Sequence, residues 1–106
     1  MSAASCCDLD DFIKAMADET RQEILRLLGQ HEMCVSELEA FLTVHQPTVS
    51  HHLAVLRRAN LVTARREGRR VYYQTNAECV TTCCGEILNR FGTGQGEGDK
   101  EVLDHE

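Results

Sequence analysis

A mainly α fold carrying one β-hairpin is what this chain predicts, on three observations. Five stretches place their apolar residues three and four apart, as one face of a helix requires. One further stretch, 61–74, sets apolar and Thr residues two apart on either side of a glycine, the pattern of paired strands. Between the third and fourth helical stretches lie only Thr43-Val44-His45, so two short helices must meet at a tight turn.

Residues 1–7 show no periodicity and read as a flexible arm that carries Cys6 and Cys7. From Asp8 to Ala17 the spacing of Leu9, Phe12, Ile13 and Met16 predicts the first helix, with Asp8, Asp10 and Asp11 at the positive end of its dipole. Asp18 suits the N-cap of a second helix, Glu19 to about Gln30, which buries Ile24, Leu25, Leu27 and Leu28 and ends at Gly29. A third runs from Val35 to Leu42, anchored by Val35, Leu38, Phe41 and Leu42. The fourth opens at Gln46-Pro47, where the fixed φ and missing N–H of proline suit a first helical turn, and extends toward Asn60. Its apolar stripe is Val49, Leu53 and Leu56. In the hairpin, Leu61, Thr63, Val71 and Tyr73 recur at strand spacing around a turn at Glu67-Gly68. Asn76 then caps a last helix reaching about Phe91. From Gly92 the chain is Gly-rich and acidic, the composition of a disordered tail. The organisation is therefore an arm (1–7), one domain (8–91) and a tail (92–106), with no internal repeat.

The net charge of −6 speaks at first against a nucleic-acid partner. The distribution reverses that. Arg57, Arg58, Arg65, Arg66, Arg69 and Arg70 fall within one short stretch broken by a single acid, Glu67, and local potential governs contact with phosphate. The outer face of the fourth helix adds Gln46, Thr48, Ser50 and His51, short or planar hydrogen-bonding groups of the kind that read base edges in a major groove. His52 falls on the inner side, as a packing or supporting residue. An Arg-rich hairpin directly after such a helix is a wing able to reach phosphates or a minor groove. The fold class is thus a winged helix-turn-helix, and the expected partner is double-stranded DNA, contacted by Gln46, Thr48, Ser50, His51, Arg57, Arg66, Arg69 and Arg70. No apolar run is long enough to span a membrane, and no signal peptide opens the chain, so a cytoplasmic location is expected. There cysteines stay reduced, and six of them point to metal or redox chemistry rather than a disulfide scaffold. The absence of Cys-x-x-Cys, and of a strand before any cysteine pair, argues against a small thiol reductase or another enzyme. A metal-storage role would not need an Arg-rich wing.

Four segments in this order, Met16-Ala-Asp-Glu-Thr-Arg-Gln-Glu-Ile-Leu25, Cys34-Val-Ser-Glu-Leu38, Gln46-Pro-Thr-Val-Ser-His-His-Leu53 and Arg65-Arg-Glu-Gly-Arg-Arg-Val-Tyr-Tyr73, resemble the ArsR/SmtB family of metal-sensing bacterial repressors. The resemblance covers residues 8–91. It implies a homodimer built on the first and last helices, an inverted-repeat operator, and release of DNA when a metal or metalloid binds. One inducer site common in the family uses Cys-Val-Cys at the start of the helix before the recognition helix, with cysteines of the arm. Here that motif reads Cys34-Val35-Ser36. Cys34 with Cys6 and Cys7 would supply three sulfurs, which suits As(III) or Sb(III), whose lone pair takes the fourth direction, and also Pb(II). It departs from a four-sulfur site for Cd(II) or Zn(II); Cd(II), Pb(II) and Hg(II) stand as alternative inducers.

A second candidate cluster is Cys79, Cys83 and Cys84 in the last helix. Cys79 and Cys83 are four apart and share a face, whereas Cys84 turns about 100° away in a regular helix. It would join them only through distortion or from a partner subunit. Residues 80–91 contain no His, so the carboxylate-and-histidine zinc site that the family places in this helix is not expected. The alternative within the same fold is a redox or persulfide sensor using a cysteine pair. Such sensors in the family place one cysteine in the second helix, and Ile24–Leu28 has none.

Overall fold

Four of the five helix starts among the described residues coincide with side chains that accept from otherwise unpaired amides. In the computed structural model, which describes residues 8–92, the order is α1 (Leu9–Met16), α2 (Glu19–Gln30), α3 (Val35–Phe41), α4 (Gln46–Arg58), β1 (Val62–Glu67), β2 (Arg70–Thr75) and α5 (Ala77–Arg90). Asp8 accepts from the amides of Asp10 and Asp11 at 3.1 and 3.2 Å, Asp18 from Arg21 at 3.0 Å, and Asn76 from Cys79 at 3.3 Å. At α3 the Glu37 carboxylate reaches back to the Cys34 amide, 3.0 Å away. These bonds satisfy the amides that a helix leaves open at its first turn. The arm cysteines and the acidic tail lie outside the described residues.

The core forms where the helical stripes converge. Ile24, Leu28, Leu38, Val49, Leu53, Leu56 and Leu61 are all at most 1% exposed. α1 packs on α2 and α5, α3 on α4, and α2 on both α4 and β2. The winged helix-turn-helix expected from the sequence is the architecture found.

Several details differ from the expectation. α2 passes through Gly29 to Gln30, and the chain leaves it at His31 in extended conformation, so Gly29 does not end the helix. Phe41 is 63% exposed rather than an anchor. The helix stops there, and Leu42 and Val44, beyond it, pack against the core in its place. Ile13 is likewise 47% exposed on α1.

The hairpin turn lies at Gly68-Arg69, between the paired residues Glu67 and Arg70, one position later than expected. Gly68 has φ +63°, which a residue with a side chain adopts at a cost. Val62, Ala64, Tyr73 and Thr75 form the strand face nearer the core, with Thr63 on the opposite face. Asn60, with φ 64°, turns the chain out of α4, and Leu61, which follows it ahead of β1, is completely buried. Two further ties hold the wing down. Met33 and Tyr73 exchange both backbone bonds (3.1 and 2.8 Å), a one-residue third strand, and the Thr75 hydroxyl donates to the Leu25 carbonyl at 2.8 Å. No described helix is long and apolar enough to cross a membrane.

Candidate nucleic-acid interface

α4 is oriented by burial on one side. With Val49, Leu53 and Leu56 sealed against the core, Gln46, Thr48, Ser50, His51 and Arg57 emerge on the outer surface, all exposed. Pro47 falls in the first turn, and Arg57 and Arg58 fall in the last, where cations meet the negative end of the helix dipole. Beside this helix the wing presents Arg66, Arg69 and Arg70, also exposed. Arg66 bends its Nη1 toward the Gly68 carbonyl at 3.4 Å, and Arg69 stands at the turn. Donors and acceptors on a helix, flanked by cations on a hairpin, are the two ingredients of duplex reading.

Arg65 belongs to the same basic run but is engaged by carboxylates of the protein itself. Its guanidinium donates to both oxygens of Glu32 (3.1 and 2.7 Å) and to Glu67 (2.8 Å), and it stacks over the Tyr72 ring at 5.2 Å. These carboxylates hold the guanidinium more firmly protonated, and Arg65 in turn lowers the Glu32 carboxyl below its usual range. Arg65 therefore clamps the wing to the α2–α3 connection instead of offering charge to a ligand.

His52 faces inward at 8% exposure. Its Nδ1 lies 3.2 Å from Arg21 Nη1, and its Nε2 lies 4.0 Å from the Asp18 carboxylate. Burial lowers its pKa below the ordinary histidine value, against the pull of Asp18. The amide of Arg21 lowers that of Asp18 in the same way that any cap stabilises a carboxylate.

The cysteines separate into two environments. Cys34 is a free, buried thiol at the start of α3, with Ser36 Oγ at 3.3 Å and Arg70 Nη1 at 3.9 Å. It borders a cavity of about 360 Å³ whose other walls are Val35, Ser36, Gln46, Arg69, Arg70, Val71 and Tyr73. The other two sulfurs of the first candidate set, Cys6 and Cys7, lie outside the described residues. In α5, Cys79 and Cys83 are each 1% exposed and disulfide-bonded, while Cys84 is free and exposed. The helical spacing thus puts Cys79 and Cys83 on one face and turns Cys84 away from them. Among the described residues, no group of three or more His, Cys, Asp or Glu side chains is arranged to hold a metal ion.

Two features of this surface were not visible in the sequence: the commitment of Arg65 and the Arg21–His52 contact. Their partners are 33 and 31 residues apart, and no local pattern pairs residues at that distance.

Comparison with known proteins agrees with this geometry. The family described as "Bacterial regulatory protein, arsR family" matches residues 18–64. The transcriptional repressor SmtB homolog of Synechocystis sp. is 40% identical over 91 residues, covering 86% of this chain and 69% of its own length. The arsenical resistance operon repressor of Staphylococcus aureus is 39% identical over 69 residues, 65% of this chain and 66% of the relative. Among solved structures, an ArsR-like transcriptional regulator from Rhodococcus sp. RHA1 superposes with a TM-score of 0.69 at 29% identity, covering 92% of this chain and 94% of that one.

Proposed function

Because the chain belongs to the arsR family of bacterial regulatory proteins, which are DNA-binding transcriptional regulators and not enzymes, we propose that it is a homodimeric repressor that leaves its operator when thiolates bind a soft metalloid. As(III) or Sb(III) is the favoured inducer, ahead of Cd(II), Pb(II) and Hg(II). The operator is an inverted repeat, since a two-fold dimer presents two copies of α4 to two half-sites. Ile13, Leu88 and Phe91, exposed on α1 and α5, support a dimer built on those helices.

The observation that carries the reading is the position of Cys34. Its thiol shares a cavity with Gln46, the first residue of α4, and with Arg69 and Arg70 of the wing. Any group bound there meets both DNA-reading elements. The donor set fits in kind: sulfur is a soft ligand, and Cys6, Cys7 and Cys34 provide the number that a pyramidal metalloid takes. Bound inducer would draw the arm to the start of α3 and supply the differential affinity between DNA-competent and released states, for which about 1–3 kcal/mol is the usual coupling. Cys79, Cys83 and Cys84 form the second candidate site. As disulfide-bonded sulfurs, Cys79 and Cys83 must first be reduced before they can act as thiolates.

That oxidation favours a second reading in the same fold, a redox-responsive regulator. Fluorescence anisotropy of operator DNA, titrated with arsenite or with a thiol oxidant, separates the two. The metalloid reading expects arsenite to release wild-type protein and Cys83→Ser but not Cys34→Ser. Release of Cys34→Ser with retention of Cys83→Ser moves the switch to α5. Release by oxidant alone, reversed by reductant, selects the redox reading.

A further inference from the structure

We propose that Arg21 and His52 form a positioning pair that fixes α4 on the corner between α1 and α2, and that tight operator binding requires His52 in its neutral form. Neither residue is placed to touch DNA; they act through the helix that does. The proposal stands on the DNA-reading role of α4 alone and is independent of the inducer.

Arg21, in the first turn of α2, spreads its guanidinium over two other helices. Nε donates to the Ala15 carbonyl at 2.7 Å and Nη2 to the Lys14 carbonyl at 3.3 Å, both in the last turn of α1, the Lys14 carbonyl also accepting from the Ala17 amide. Nη1 donates to His52 Nδ1 at 3.2 Å, on α4. α1 and the far end of α4 are themselves parted by a cleft of about 420 Å³ lined by residues that include Lys14, Ala15, Val55 and Arg58. The polar tie between α1 and α4 therefore runs through Arg21. His51, the exposed candidate for base contact, directly precedes His52 in the chain, and the two rings lie 5.8 Å apart. A change of seat at His52 is a change of aim at His51 and Thr48.

A guanidinium offers only donors, so His52 Nδ1 must carry its lone pair, which places the ring proton on Nε2, facing Asp18 at 4.0 Å. A second proton, on Nδ1, would set N–H against N–H and cation against cation. The charged groups around the ring are Asp18, which favours the imidazolium, and Arg21 and His51, which oppose it; the Lys14 ammonium turns instead to Asp10, 3.9 Å away. Burial is the largest influence and also opposes the charge. As pH falls below the ordinary histidine value, a proton taken up on Nδ1 displaces the Arg21 contact.

The test is operator affinity by anisotropy between about pH 7.5 and 5.5, with a non-cognate duplex as control, for wild type, His52→Asn, His52→Leu and Arg21→Lys; thermal melts establish folding at each pH. Wild type should lose at least ~5-fold in cognate affinity on acidification, the lower end of ordinary couplings. That sign is opposite to simple electrostatics, because protonated surface histidines strengthen attraction to phosphate, as the non-cognate duplex should show. His52→Asn keeps an acceptor near the Nδ1 position and cannot be protonated. It should bind nearly as wild type at pH 7.5 and show no acid loss. His52→Leu should bind weakly at every pH. If His52→Asn fails to fold, Arg21→Lys decides, with weaker cognate binding and a flattened profile expected. Wild-type affinity that does not fall on acidification, an unchanged acid loss in His52→Asn or Arg21→Lys, or wild-type binding by His52→Leu overturns the proposal.

Discussion

Replacing Arg69 and Arg65 separately by alanine probes what the wing does, because sequence treats them alike and structure does not. Arg69 is exposed at the hairpin turn, whereas Arg65 is bound by Glu32 and Glu67. Each phosphate neutralised on duplex DNA contributes about −0.9 to the slope of log Kobs against log salt. Two protomers each losing one phosphate contact should thus make the slope shallower by about 1.8. Across a fourfold rise in salt, from 50 to 200 mM, that removes roughly a 12-fold change in affinity from the wild-type salt dependence. Arg65→Ala should leave the slope as it was and act instead through a looser wing, seen as a lower melting temperature. Thr48→Ala, on the base-reading face, should cost about 1–3 kcal/mol on the cognate operator only, again with no change in slope. Anisotropy titrations at four salt concentrations measure all three. An unchanged slope in Arg69→Ala, or one reduced equally in Arg65→Ala, would refute the assignment of charges on the wing.

Two stability predictions follow from burial and capping. Leu53 is 1% exposed beneath α4, so Leu53→Ala should cost about 2–5 kcal/mol in urea unfolding, a large part of what a domain of this size has; a loss of only a few tenths would mean that α4 is loosely seated. Asp18→Ala should cost about 1 kcal/mol through the lost N-cap, and Asp18→Asn much less, since Asn caps as well. Its carboxyl is held below the usual range, first by the Arg21 amide, so its ionised form contributes stability that is complete above the ordinary carboxylate pKa and disappears as pH falls through the folded value. Asp18→Asn should therefore flatten the decline in stability below about pH 4, and an acid limb identical to wild type would contradict this.

Much of the fold was legible because its signals are local. The stripe Val49, Leu53, Leu56 and the caps Asp18 and Asn76 each lie within one or two helical turns, and the structure places them as expected. Phe41 misled because hydrophobic spacing cannot tell where a short helix stops, and the chain turned inward one residue later. The Met33–Tyr73 bridge is one residue long and has no period to detect. At the candidate site, exposure of Gln46, Thr48, Ser50 and His51 was readable from one helix. The commitment of Arg65 was not, because Glu32, which binds its guanidinium, comes from a distant connection. Spacing could put Cys79 and Cys83 on one face; it could not say that both would be buried and oxidised.

The proposed inducer site is tested most directly by X-ray absorption at the arsenic edge on reduced, arsenite-loaded protein, comparing wild type with Cys34→Ser and Cys83→Ser. Coordination by Cys6, Cys7 and Cys34 predicts three As–S neighbours in wild type and in Cys83→Ser, and a sulfur exchanged for oxygen in Cys34→Ser. Three As–S neighbours retained in Cys34→Ser but lost in Cys83→Ser would contradict it.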